Sequence, residues 1–153
     1  MRITRIVSVF VGLLTVSAFA AAQAENPELR KQVEAIYAKW DRLTEKKDLK
    51  AMWDMLDPSF VGVDLEGNSM TAEEGKEHFE AMLAQMHDIK AKTKVDHVYG
   101  DNNEVVAWVT LNVTWKQKVG DKMEQMKFTA KFAETLKRTK DGWKFTYSQM
   151  LPN

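Results

Sequence analysis

The stretch MKFTAKFAETLKRTKDGWKFTYSQM, Met126 to Met150, decides the fold. Met126, Phe128, Ala130, Phe132, Glu134 and Leu136 fall on one side of a period of two, and Lys127, Thr129, Lys131 and Thr135 fall on the other. That alternation is the mark of a strand with one buried face. Asp141-Gly142 is a tight hairpin signal, so Trp143 to Met150 returns beside it. Upstream, Val105, Ala107, Val109, Leu111, Val113 and Trp115 share one face of another long strand, which turns at Gly120-Asp121. Before that, Ile89, Ala91, Thr93, Val95, His97 and Tyr99 alternate with Lys90, Lys92, Lys94 and Asp96, and the chain turns at Gly100 to Asn103. Four strands joined by tight turns form an antiparallel meander with one apolar face.

The first half supplies what covers that face. Asn26-Pro27 is a capping side chain followed by proline at the first helical position. Leu29, Val33, Ile36, Tyr37, Trp40 and Leu43 then form the apolar stripe of a long helix that Lys46-Lys47-Asp48 stops. Asp48 caps a short second helix with Leu49, Met52, Trp53 and Leu56 facing inward, ended by Asp57-Pro58. Phe60 to Asp64 reads as a strand and Gly67-Asn68 as a turn. Thr71-Ala72-Glu73-Glu74 is a capping box opening a third helix with Gly75, Phe79, Met82, Leu83 and Met86 on its inner face. The expected fold is α+β: a cone-shaped, curved antiparallel sheet covered by a long N-terminal helix and two further helices.

Residues 1–24 read as a secretory signal peptide. Arg2 and Arg5 precede an uncharged apolar run from Ile6 to Ala22, and Ala22-Gln23-Ala24 fits a small-x-small cleavage site. Cleavage after Ala24 leaves residues 25–153 as one domain and places it in the periplasm or outside the cell. The chain has no cysteine, so disulfides contribute nothing to its stability. Removing Arg2 and Arg5 takes the basic count from 22 to 20 against 22 acids, a net charge of −2. That balance argues against nucleic acid as a partner. No segment after the signal is apolar enough to hold the chain in a membrane.

Several phrases carry a family resemblance. KKDLKAMWDMLDPSFVGVDLEG, TAEEGKEHF and LKRTKDGWKFTYSQ, with the order of elements from Pro27 to Met150, resemble the nuclear transport factor 2-like superfamily. That group includes ketosteroid isomerases, SnoaL-like polyketide cyclases and scytalone dehydratases. The resemblance implies a cone-like fold with an interior cavity, and often dimerisation through the outer sheet face. In the isomerase branch the aspartate of the VDLEG-like phrase is the general base, which falls on Asp64, and a buried acid lies near Glu134. In ketosteroid isomerases that buried acid is kept neutral so that it can donate a hydrogen bond. A tyrosine on the first helix completes that branch's oxyanion site. Here Trp40 falls near its position and Tyr37 one turn earlier, so isomerase activity is not carried over.

Two carboxylates are therefore the candidate catalytic groups. Asp64 either lines a pocket or caps the turn after it. Glu134 interrupts an apolar alternation, which is costly unless the carboxylate is paired or protonated; it either faces the pocket or sits at the rim against Lys116 or Lys137. Tyr37, Trp40, Phe60, Phe79, His97 and Phe132 are the expected pocket lining. His97 is placed inward because it lies in line with Val95 and Tyr99, while His78 and His87 are expected to be solvated. The three histidines form no HxxxH pair and no ligand cluster, so no metal is expected, and no phosphate loop or dinucleotide fingerprint calls for a cofactor. Trp108, with Thr110 and Asn112, lies opposite Val109 and Leu111 and is the expected homodimer surface. Three readings follow: a binding module for a small apolar molecule, a cofactor-free isomerase, cyclase or dehydratase using Asp64 as base, or an accessory protein acting through its sheet face.

Overall fold

A computed structural model describes residues 25–153; the expected signal peptide lies outside the described residues. Asn26 accepts hydrogen bonds from the backbone N–H groups of Glu28 and Leu29 and starts α1 (Pro27–Lys46). Lys47, with φ of 53°, ends it in the left-handed region. Asp48 accepts from Ala51 N–H and caps α2 (Leu49–Trp53). β1 (Leu56–Val63) and β2 (Ser69–Thr71) form a small hairpin. Thr71 and Glu74 close a reciprocal capping box on α3 (Ala72–Gln85). β3 (His87–Gly100), β4 (Glu104–Val119), β5 (Lys122–Thr139) and β6 (Gly142–Leu151) complete the chain.

The six strands make one curved sheet in the order β2-β1-β6-β5-β4-β3. β3 to β6 are the expected antiparallel meander, with β4 and β5 in unbroken register from Glu104↔Lys137 to Val119↔Lys122. Tight turns could not reveal that β1 lies parallel to β6. α1 packs on the inner face through Leu29, Val33 and Tyr37, against Val95, Val105, Val109, Leu136 and Phe145. A second cluster joins Met52, Leu83 and Met86 to Ile89 and Val113.

Four local expectations need correction. α2 ends at Trp53, before Asp57-Pro58, and Leu56 belongs to β1 rather than to the helix. Pro58 is tolerated in that strand because the β1–β6 pairing is interrupted between Leu56 and Val61, where a missing N–H costs no ladder bond. β2 is a strand where only a turn was read. Met82 is 41% exposed, on the flank of α3 rather than its inner face. His97 points outward. Val95 pairs with Val109 but His97 pairs with Trp108, so Asp96 is an extra residue that reverses the side-chain alternation. Val98 is buried in consequence, and His97 and Tyr99 are exposed.

β3 is an edge strand, and α1 covers its free edge. Asp41 accepts from the Thr93 N–H and hydroxyl, each at 2.7 Å, and Glu45 accepts from Ala91 N–H at 3.1 Å. Glu25 accepts from Val98 N–H at 2.8 Å, and the Arg30 guanidinium donates to the Val95 carbonyl. Acids four apart on the helix match N–H groups two apart on the strand. The exposed ladder that would otherwise recruit another chain is thereby closed.

Candidate functional site

Between α1, α3, β1 and the inner sheet face lies a cavity of about 370 Å³. Its floor is polar. Glu134 of β5 pairs across the sheet with Ser148 of β6, and both point inward toward α1. One Glu134 oxygen accepts from the Tyr37 hydroxyl at 2.7 Å and the other from the Ser148 hydroxyl at 2.8 Å. Burial pushes the Glu134 carboxyl above its ordinary value, against the opposing pull of these two hydrogen bonds. Tyr37 is 3% exposed, and burial together with the Glu134 charge holds its phenol well above its ordinary value. Tyr37 therefore remains a protonated donor across the physiological range.

The walls are aromatic. Phe145 packs in T-shaped contact with Tyr37 and Trp40 at 5.6 and 5.4 Å between ring centroids. Trp53 and Phe79 meet edge to face at 5.7 Å. Phe60, Phe132 and Leu111 fill the spaces between them. At the mouth stand Asp64, Asn68, Thr71 and His78. Asp64 accepts from the Asn68 backbone N–H and side-chain amide, each at 2.8 Å. The Asn68 hydrogen bonds hold its carboxyl below the ordinary carboxylate value. Asp64 thus forms the turn and lines the mouth at once, but both its oxygens are engaged and it is a weak proton acceptor.

The sequence profile of the SnoaL-like domain matches residues 33–150. The chain belongs to the SnoaL-like family. Solved structures with the same fold include a candidate dehydratase of the nuclear transport factor 2-like family from Streptomyces avermitilis, 16% identical, covering 84% of this chain and 99% of that one with a TM-score of 0.69. A conserved protein from Planctomyces limnophilus is 13% identical and covers 84% and 100%, with a TM-score of 0.68. A nuclear transport factor 2-like superfamily protein from Salmonella enterica is 13% identical and covers 81% and 90%, with a TM-score of 0.63. No curated protein matches the chain.

In this SnoaL-like domain, Asp64, Glu134, Tyr37, Trp40, Phe60, Phe79 and Phe132 line one cavity, with Glu134 at the floor and Asp64 at the mouth. His97 does not; the bulge at Asp96 turns it to the outer face beside Tyr99 and Trp108. Glu134 meets neither lysine weighed for the rim, since Lys116 pairs with Asp88 and Lys137 with Glu104. Sequence reasoning did not assign Ser148 or His78 to the cavity; His78 is exposed, as expected, yet stands at its mouth. Ser148 faces inward because the β5–β6 register slips between Thr135↔Tyr147 and Leu136↔Phe145, and an unbroken alternation from Phe145 would have turned Tyr147 inward instead. His78 lies three residues after Gly75 and beside Phe79 on α3, and that spacing was its signal. Among the described residues no group of three or more His, Cys, Asp or Glu could hold a metal ion.

Proposed function

We propose that this SnoaL-like domain is an exported binding module that encloses one small, largely apolar molecule and anchors it at Glu134. The observation that carries this reading is the cavity itself: about 370 Å³, walled by aromatic rings, with a single hydrogen-bonded carboxylate on its floor. Pockets of that size and lining take drug-sized ligands, and the few convergent polar groups fix orientation. The Ala22-Gln23-Ala24 site supports export. Native mass spectrometry of protein purified from its own host tests the reading. The expected spectrum carries an added small mass that disappears on denaturation; a bare chain that also fails to bind any apolar probe sinks it.

A second reading, a cofactor-free isomerase, cyclase or dehydratase, is favoured by one observation. Glu134 has a raised pKa and a donor, Tyr37, within hydrogen-bond distance, which suits proton transfer in a dry site. In that reading Glu134 is the better proton carrier and Asp64 the weaker, because Asn68 occupies both Asp64 oxygens. The domain is also proposed to pair with a second copy through the outer sheet face. What supports this is the exposed cluster of His97, Tyr99 and Trp108, with ring centroids 6.0 to 6.3 Å apart.

A further inference from the structure

We infer that the cavity selects an organic cation, an apolar amine or quaternary ammonium whose nitrogen sits above Glu134. This rests on the ligand-binding reading of the same cavity and names the chemical class of its occupant.

The floor offers acceptors and no free donor. Both hydroxyls that reach it, those of Tyr37 and Ser148, already donate to Glu134. A ketone or carboxylate placed there would find no hydrogen to accept, whereas an N–H or a positive charge meets two carboxylate oxygens with lone pairs to spare. Charge points the same way. The ionisable residues lining the cavity are Glu134, Asp64, Tyr37 and His78; no lysine or arginine is among them. Glu134 makes no ion pair with this chain's own cations among the described residues. A partly buried carboxylate without a counter-charge is unfavourable in an apolar setting, and a bound cation would supply what the protein withholds.

The walls complete the recognition. Trp40, Trp53, Phe60, Phe132 and Phe145 surround the space with ring systems. Their faces carry negative quadrupole density and attract an ammonium group, most strongly when water is excluded. All three kinds of ligand can bury an apolar tail against these walls, so the head group decides: a cation is attracted by the carboxylate and by aromatic rings, while a carboxylate head is repelled by the floor.

Three probes of closely similar size test this: phenylbutylamine, phenylbutanol and phenylbutyrate, titrated calorimetrically into the protein at neutral pH. The amine is expected to bind at least about tenfold more tightly than the alcohol, with the carboxylate weakest. Glu134→Gln, confirmed as folded by its thermal melt, is expected to lose the preference for amine over alcohol. An alcohol that binds as well as the amine, a carboxylate that binds best, or a preference that survives in Glu134→Gln overturns the cation inference and leaves the binding cavity standing. Failure of all three probes to bind removes the ligand reading and this inference together.

Discussion

Glu134 stands where the alternation of β5 asks for an apolar side chain, and its surroundings determine how it behaves. Two hydroxyls stabilise its charge, burial opposes it, and burial dominates. Its folded pKa therefore lies above the unfolded value of about 4.5. The contribution to stability is full below that unfolded value and is lost as pH rises through the folded pKa. Glu134→Gln keeps an acceptor for the Tyr37 hydroxyl and offers the Ser148 hydroxyl, which donates in the parent, an amide N–H to accept from, while removing the charge. At about pH 8 it should be more stable than the parent by about 1 kcal/mol, and the gain should shrink toward about pH 4. Paired thermal melts check this; a variant less stable than the parent at the higher pH would mark the carboxylate as structural. Glu134 was legible in the sequence because it broke a period within its own strand. Ser148 was not, because what turns it inward is a slip against the neighbouring strand.

Elements follow the same division between local and non-local signals. The caps at Asn26, Asp48 and Thr71 were readable because each acts within three residues of itself. Thr71 also lines the cavity mouth, so its cap anchors the end of α3 from which Ala72 and Gly75 join the lining. Thr71→Ala should cost about 1 kcal/mol of stability and speed amide exchange in the first turn of α3 before it affects β4. Unchanged exchange there would show that the cap does not hold the first turn of α3. The protection of β3 was not readable, because it pairs α1 acids with N–H groups 46 and 52 residues away. Asp41→Ala should cost about 2 kcal/mol by leaving the Thr93 N–H and hydroxyl without partners, against under about 0.5 kcal/mol for Glu80→Ala on an exposed flank. Equal losses from chemical denaturation of the two variants would refute the edge-closing role. The bulge at Asp96 left one local trace: Val98 is apolar where the alternation carrying Lys90, Lys92, Lys94 and Asp96 asks for an exposed residue, and the register of β4 then locates the extra one.

At the scale of the molecule, the helix-covered sheet was legible because each amphipathic element needs a partner, and few arrangements satisfy them all. The parallel β1–β6 seam was not, since the helices and strands between those two elements carry no signal for where they meet. The outer face remains uncovered. Trp108 is 46% exposed and Tyr99 49%, while Thr110 and Asn112 are tied down by hydrogen bonds to Asp96 and Thr129. Of the three residues expected at an interface, Trp108 alone therefore offers apolar area. Lys90, Lys92, Lys94, Lys127 and Lys131 are exposed strand residues, and by the strand alternation they lie on that same side. In a two-fold pairing through this face, like charges from the two copies approach each other, and aromatic burial must outweigh their repulsion. Such a dimer should tighten as salt screens the lysines, over the range from about 0.05 to about 0.5 M, the reverse of an interface held by ion pairs. Light scattering across that range should give twice the chain mass at high salt, and Trp108→Lys should remain monomeric throughout. A parent protein that stays monomeric at every salt concentration removes the dimer, and one that dissociates as salt rises places the contact on a different face.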